Sequence, residues 1–207
     1  MSEKALKKIM DHAQAGLDAR QKFFQDKAEN LVDIAKTLAL CMANGGKVML
    51  CGNGGSAADS QHLAAEFVNR FKMERPPLPG IALTTDTSIL TAIGNDYSYD
   101  EVFEKQVMAL GTPGDVLIGL STSGGSTNVI RAMREARKRD VITVGMAGQH
   151  GGEMLPVSDY LLLVPSTDTP VIQEIHIAAG HMLCHLVDHF LFEEVAELTP
   201  YLSGGAE

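Results

Sequence analysis

The chain is poor in basic residues and in cysteine, and it has no long apolar run. Each shortage removes a class of function. Seventeen Lys and Arg stand against 26 Asp and Glu, a formal charge of −9. That balance argues against a broad surface for nucleic acid or for an anionic membrane. Backbone dipoles do not enter the count, so a local anion site stays open. Cys41, Cys51 and Cys184 are the only cysteines. They make no even disulfide framework and no CxxC pair, which points to a reducing cytoplasm. No apolar run reaches the ~18 residues of a membrane span. The opening Met1-Ser2-Glu3-Lys4 lacks the apolar core of a signal peptide. What remains is 207 residues, 45% hydrophobic, with mean hydropathy near zero. That is enough for one domain with a sizeable core.

Residues 4–43 carry no Gly or Pro except Gly16. Apolar residues at helical spacings predict one or two helices, ending at Gly45-Gly46. Two readings of this arm stand side by side. It covers a sheet, or it packs on a partner subunit. Beyond it, short apolar strands are expected at 47–51, 81–83, 115–120, 141–146 and 160–164. Helices are expected over 57–70, 87–93, 99–109, 128–139 and from Thr169-Pro170 to about Glu194. Gly94-Asn95-Asp96 reads as a turn, and 75–80 as a loop. Continuous apolar strands alternating with helices mean a parallel sheet covered on both faces. The expected fold is α/β, a three-layer, flavodoxin-like five-stranded parallel sheet with an N-terminal helical arm. The whole of 1–207 reads as one domain, with the arm at 1–44 and the α/β core at 45–207.

In such sheets ligands gather at the carboxyl ends of the strands. Two of those ends are rich in Gly and Ser: Gly52-Asn53-Gly54-Gly55-Ser56, and Ser121-Thr122-Ser123-Gly124-Gly125-Ser126-Thr127-Asn128. The second runs from a buried strand into a helix start. Free backbone N–H groups, a positive dipole end and several hydroxyls meet there, a setting for phosphate. No Lys completes a Walker pattern, and Ala57 stands where a dinucleotide fingerprint needs its third Gly. No G-x-S-x-G elbow is present, so the serines read as donors to an oxyanion rather than nucleophiles. Cys51 reads as a small buried hydrophobe.

His62 and Glu66 are four apart on a helix and share a face. They are a metal-ligand pair or an exposed ion pair. The last helix carries Gln173, Glu174, His176, His181, His185 and His189 in an otherwise apolar stretch. Gln173 and His181 are about 80° apart around it. Periodicity does not say which histidine is functional.

Taken together, Cys51-Gly52-Asn53-Gly54-Gly55-Ser56, Gly94-Asn95-Asp96, Leu120-Ser121-Thr122-Ser123-Gly124 and Ile172-Gln173-Glu174-Ile175-His176 resemble the sugar isomerase (SIS) domain. Within it, they resemble the phosphoheptose isomerases over nearly the whole chain. The resemblance implies an aldose–ketose isomerase. It would convert sedoheptulose 7-phosphate to D-glycero-D-manno-heptose 7-phosphate, the first step toward ADP-heptose for surface polysaccharide. It also implies a cytoplasmic homotetramer with one zinc per subunit, held by His62, Glu66, Gln173 and His181. Substrate contacts fall on Asn53, Gly54, Gly55, Asn95, Asp96, Ser121, Thr122, Ser123 and Ser126, with Glu66 and Gln173 shared. A role for Asp168 stays open.

The hypothesis that follows is proton transfer through an enediol. Glu66 is the base and His181 the acid that serves the sugar oxygens, and a metal beside them stabilises enediolate charge. Two rivals remain. One is a non-catalytic SIS module, binding a sugar phosphate or the bacterial replication initiator. The other is an isomerase for a different sugar phosphate.

Overall fold

In the computed structural model, which describes residues 2–201, the arm is one unbroken helix, α1 (Glu3–Ala43). The Ser2 hydroxyl caps it, accepting from the Ala5 N–H at 3.4 Å. It ends where Asn44 and Gly45 turn the chain, and the Gly45 N–H donates to the Met42 carbonyl at 3.1 Å. At 1.5 Å per residue it is roughly 60 Å long. The reading of the arm as a cover for the sheet holds for its later part. From Ala19 onward it buries Phe23, Leu31, Ile34 and Leu38 in the core, whereas Leu6, Ile9, Met10 and Leu17 are exposed.

The α/β part follows in order: β1 (Val48–Gly52), α2 (Gly55–Val68), β2 (Gly80–Ala82), α3 (Thr87–Asp96), α4 (Glu104–Leu110), β3 (Val116–Ser121), α5 (Thr127–Lys138), β4 (Ile142–Ala147), β5 (Tyr160–Leu163) and α6 (Thr169–Asp188). All strand pairs are parallel, in the order β2-β1-β3-β4-β5. This is the flavodoxin-like arrangement expected.

Alternation along the strands builds two cores. Val48 and Leu50 of β1 face one side with Val116, Ile118 and Leu120 of β3, and α1, α2 and α6 cover them. Met49, Cys51 and Leu117 face the other side, under α4, α5 and the 3₁₀ segment Gly152–Val157. The consequence for function is that α2 and α6 lie on the same face of the sheet.

Three boundaries differ from expectation. Gly94-Asn95-Asp96 is the last turn of α3 rather than a separate turn. Asp86 starts that helix firmly, its carboxylate accepting from the Ile89 N–H at 2.9 Å, and the helix runs through the turn-forming residues. The helix expected over 99–109 splits into a 3₁₀ turn, Tyr99–Glu101, and α4. There the Ser98 hydroxyl accepts from the Asp100 N–H at 3.0 Å and tightens the chain. The last helix changes after Asp188 into a π turn over His189–Glu193, closed by the Glu194 N–H on the His189 carbonyl at 2.8 Å.

Candidate active site

The order β2-β1-β3 puts the topological switch point between β1 and β3, and ligands of such sheets bind outside it. The two Gly-rich loops leave the sheet at that point. They are tied by a reciprocal amide pair: Asn53 Nδ2 donates to Asn128 Oδ1 at 2.8 Å, and Asn128 Nδ2 donates to Asn53 Oδ1 at 2.9 Å. The Tyr99 hydroxyl adds a bond to Asn53 Oδ1 at 3.1 Å. Neither Asn128 nor Tyr99 was singled out from sequence as a site residue. Only an amide at the second position of the helix after the Ser-rich loop hinted at the pair.

Within the second loop the Ser121 and Ser126 hydroxyls are 2.8 Å apart, and Ser123 Oγ is 3.5 Å from Ser121 Oγ. Ser126 is the N-cap residue of α5, yet its hydroxyl makes no capping bond. It turns to Ser121 instead, so the hydroxyls form a cluster at a helix start whose first N–H groups have no partner within the helix. Gly124 has φ +69°, and a Cβ there would run into the Gly151 carbonyl group. Its own carbonyl accepts from the Met154 N–H at 3.2 Å, and the Thr122 carbonyl accepts from the Gly148 N–H at 3.0 Å. The loops after β3 and β4 are thereby locked together. Beside them a cavity of about 240 Å³ is lined by Thr122, Ser123, Gln149, His150, Ser166 and Thr167.

On the α1 side of the sheet, His62 Nε2 lies 2.8 Å from His181 Nε2 and 3.3 Å from Glu66 Oε1. One ligand atom of each of these three residues lies within 4.8 Å of the other two. Four donors around a tetrahedral zinc, with bonds of about 2.0–2.1 Å, sit roughly 3.3 Å apart. Two imidazoles and a carboxylate also form a common catalytic zinc donor set with an open position. The residues therefore fit the metal. Burial, and then the neighbouring His62, push the His181 imidazole below its usual range, against the pull of Glu66. That shift favours the neutral form, which a ligand needs.

The Gln173 amide packs against Gly55 at the start of α2, where a Cβ on Gly55 would come within 2.6 Å of Gln173 Nε2. That contact is about two turns along α6 from His181. The structure thus brings His62, Glu66 and His181 together and sets Gln173 at the loop end of the same helix pair.

The other expected residues fall as follows. Gly54 and Gly55 are exposed at the start of α2. Asn95 and Asp96 are exposed at the end of α3, with Asn95 Nδ2 donating to Asp96 Oδ1 at 2.8 Å. Among the described residues neither hydrogen-bonds to the two loops. Asp168 is the N-cap residue of α6, with no side-chain capping bond. Of the other α6 histidines, His176 is fully buried, His185 lines a cavity with Phe71, and His189 meets Glu193 at 2.9 Å. Cys51 is fully buried, and burial pushes its thiol up to about 12.

A family model described as "SIS domain" matches residues 12–148. A phosphoheptose isomerase of Maridesulfovibrio salexigens is 65% identical over 204 residues, covering 99% of this chain and 100% of its own. The chain belongs to the phosphoheptose isomerase family of SIS-domain proteins. Two solved phosphoheptose isomerases share its fold. The one from Neisseria gonorrhoeae has a TM-score of 0.84 at 45% identity, over 89% of this chain and 98% of its own. The one from Francisella tularensis has a TM-score of 0.87 at 38% identity, over 91% and 100%. The family is one of isomerases, and a sugar phosphate is the substrate class the hydroxyl cluster is suited to hold.

Proposed function

We propose that this protein isomerises sedoheptulose 7-phosphate to D-glycero-D-manno-heptose 7-phosphate, the step that begins ADP-heptose synthesis for surface polysaccharide. The observation that carries the reading is full-length identity of 65% to a named phosphoheptose isomerase. The meeting of His62, Glu66 and His181 supports it chemically. We take the whole chain as one SIS domain working in the cytoplasm as a homotetramer, with one zinc per subunit held by His62, Glu66, Gln173 and His181. No helix among the described residues is long and apolar enough to cross a membrane.

In this mechanism Ser121, Thr122, Ser123 and Ser126 hold the phosphate with the start of α5. Asn53, Gly54 and Gly55 approach the sugar from the β1 side, and Gln173 from α6. Asn95 and Asp96 contact hydroxyls from the end of α3. Zinc, when bound, supplies Lewis acidity toward the sugar oxygens. Glu66 Oε1 faces His62, which leaves Oε2 to accept the proton from C1 of the open-chain ketose. As that C–H bond breaks, its electrons form the C1=C2 double bond. The former carbonyl oxygen at C2 then takes a proton from His181. In the second half His181 takes the proton of the C1 hydroxyl, C1=O forms, and Glu66 returns its proton to C2. Were Nε2 of His181 to hold the zinc, Nδ1 would be the nitrogen left to carry the proton that His181 moves.

Aldose formation from sedoheptulose 7-phosphate, with and without a chelator, tests the reading. A positioned acid or base contributes about 10²–10⁴-fold, so Glu66→Gln should lower turnover by that much with the fold intact. Near-normal turnover in Glu66→Gln would remove Glu66 as the base. A wild-type protein with neither zinc nor turnover would be a binding module instead.

A further inference from the structure

Phe71 lies three residues beyond the end of α2, and its ring stacks on that of His181. The centroids are 5.4 Å apart and the planes 27° apart. A metal-binding histidine ordinarily donates its second N–H to a carboxylate or carbonyl, which fixes ring plane and tautomer. Among the described residues none hydrogen-bonds the Nδ1 of His181. Its ring–ring contacts among the described residues are the stack with Phe71 and an edge contact with His62, centroids 5.1 Å apart. We infer that Phe71 is a positioning residue, setting the ring plane of His181 and so the place of its Nε2 against His62 and Glu66. This rests on the reading of those three residues as zinc ligands.

Phe71 is able to do this because its segment is tied at both ends. The buried Arg75 guanidinium donates to the carbonyls of Glu66, Phe67 and Asn69 at 2.9, 2.7 and 3.2 Å. These are oxygens that the end of α2 leaves without helical partners. Arg75 Nε also meets Asp188 Oδ1, on the last turn of α6, at 2.9 Å. Residues 69–75 are therefore pinned to the helix bearing His62 and Glu66 and to the helix bearing His181. Phe71 itself packs on the core shared by those helices. A ring so held fixes an orientation, which an aliphatic side chain of similar volume does not.

The test uses wild type, Phe71→Leu, Phe71→Tyr and His181→Ala, each stripped of metal. Each is titrated with zinc against a chromophoric chelator, and each is loaded with cobalt(II) for its visible absorption spectrum. Loss of an orienting partner typically costs 10–100-fold in metal affinity. Phe71→Leu is therefore expected to bind zinc about tenfold more weakly with a shifted cobalt band, and Phe71→Tyr to match wild type on both readouts. Wild-type zinc affinity and an unshifted cobalt band in Phe71→Leu overturn the inference. If His181→Ala has still lost zinc in that case, the zinc-site reading survives alone. A wild-type chain that takes up no zinc overturns both. Should Phe71→Leu fail to fold by circular dichroism, Phe71→Met decides on the same two readouts.

Discussion

His176 and His181 sit five residues apart on α6 and meet opposite environments. His181 is half-buried beside His62 and Glu66. His176 is fully buried, and neither of its ring nitrogens has a side-chain partner. Burial pushes the His176 imidazole down to about 4, with the Ala147 backbone opposing. The unfolded chain, with an ordinary histidine near 6.5, therefore binds the extra proton between those values. Stability from this residue is full above about pH 6.5 and is lost as pH falls toward 4, on the order of 3 kcal/mol in all. Thermal melts of wild type and His176→Met from pH 7 to pH 4 should show the variant losing less of its melting temperature. Parallel curves would show that His176 is not the buried group being titrated. At Gly124 the backbone sets the outcome. Alanine there meets a left-handed φ and the Gly151 carbonyl group at once. The left-handed conformation alone costs about 1–2 kcal/mol. Gly124→Ala should melt lower and show a raised KM for the sugar phosphate, because the loop bearing Ser123 and Ser126 must shift.

The pair α2 and α6 bears the residues of the proposed chemistry, and the two helices are tied three times along their length. Gly55 meets Gln173, His62 meets His181, and Arg75 joins the end of α2 to Asp188. Breaking a buried ion pair from one side costs about 3–5 kcal/mol. Arg75→Met should lose that much in urea unfolding. Arg75→Met with Asp188→Leu should recover only part, since the Glu66 and Asn69 carbonyls lose their Arg75 donor and the Phe67 carbonyl keeps only the Leu78 N–H. Full recovery would mean that the carbonyl contacts contribute nothing. Much at this scale was legible in the sequence. Apolar strand runs and turn residues located five strands and the helices between them, and the His62/Glu66 spacing put both side chains on one face. What pairs one helix with another was not legible. Periodicity on α6 left four histidines equivalent, and only the packing of α6 on α2 separates His181 from His176. The resemblance to a family selected His181, whereas spacing alone did not. Phe71 and Arg75 carry no motif, because their roles depend on where a loop returns in space. The end of α3 was misread for a related reason. Gly94-Asn95-Asp96 has turn composition, but a cap three residues upstream of Ile89 and the apolar run after it carry the helix through.

At the scale of the molecule, an apolar stripe on α1 before Ala19 is left exposed. Leu6, Ile9, Met10, Ala13 and Leu17 are exposed, and at 100° per residue they fall within about 100° of the helix face. His12, on an adjoining face, meets Glu174 of α6 at 3.0 Å, so the arm is held alongside the body up to that point. An arm presenting an apolar stripe gains most from burying it against another copy, as the proposed homotetramer would do. Charges placed on the stripe test this without touching the core that begins at Ala19. Ile9→Lys with Leu17→Lys should keep the circular dichroism of a folded α/β protein while sedimentation moves from a four-chain species to smaller ones. A sedimentation profile identical to that of wild type would show that this stripe is not the surface on which the subunits meet.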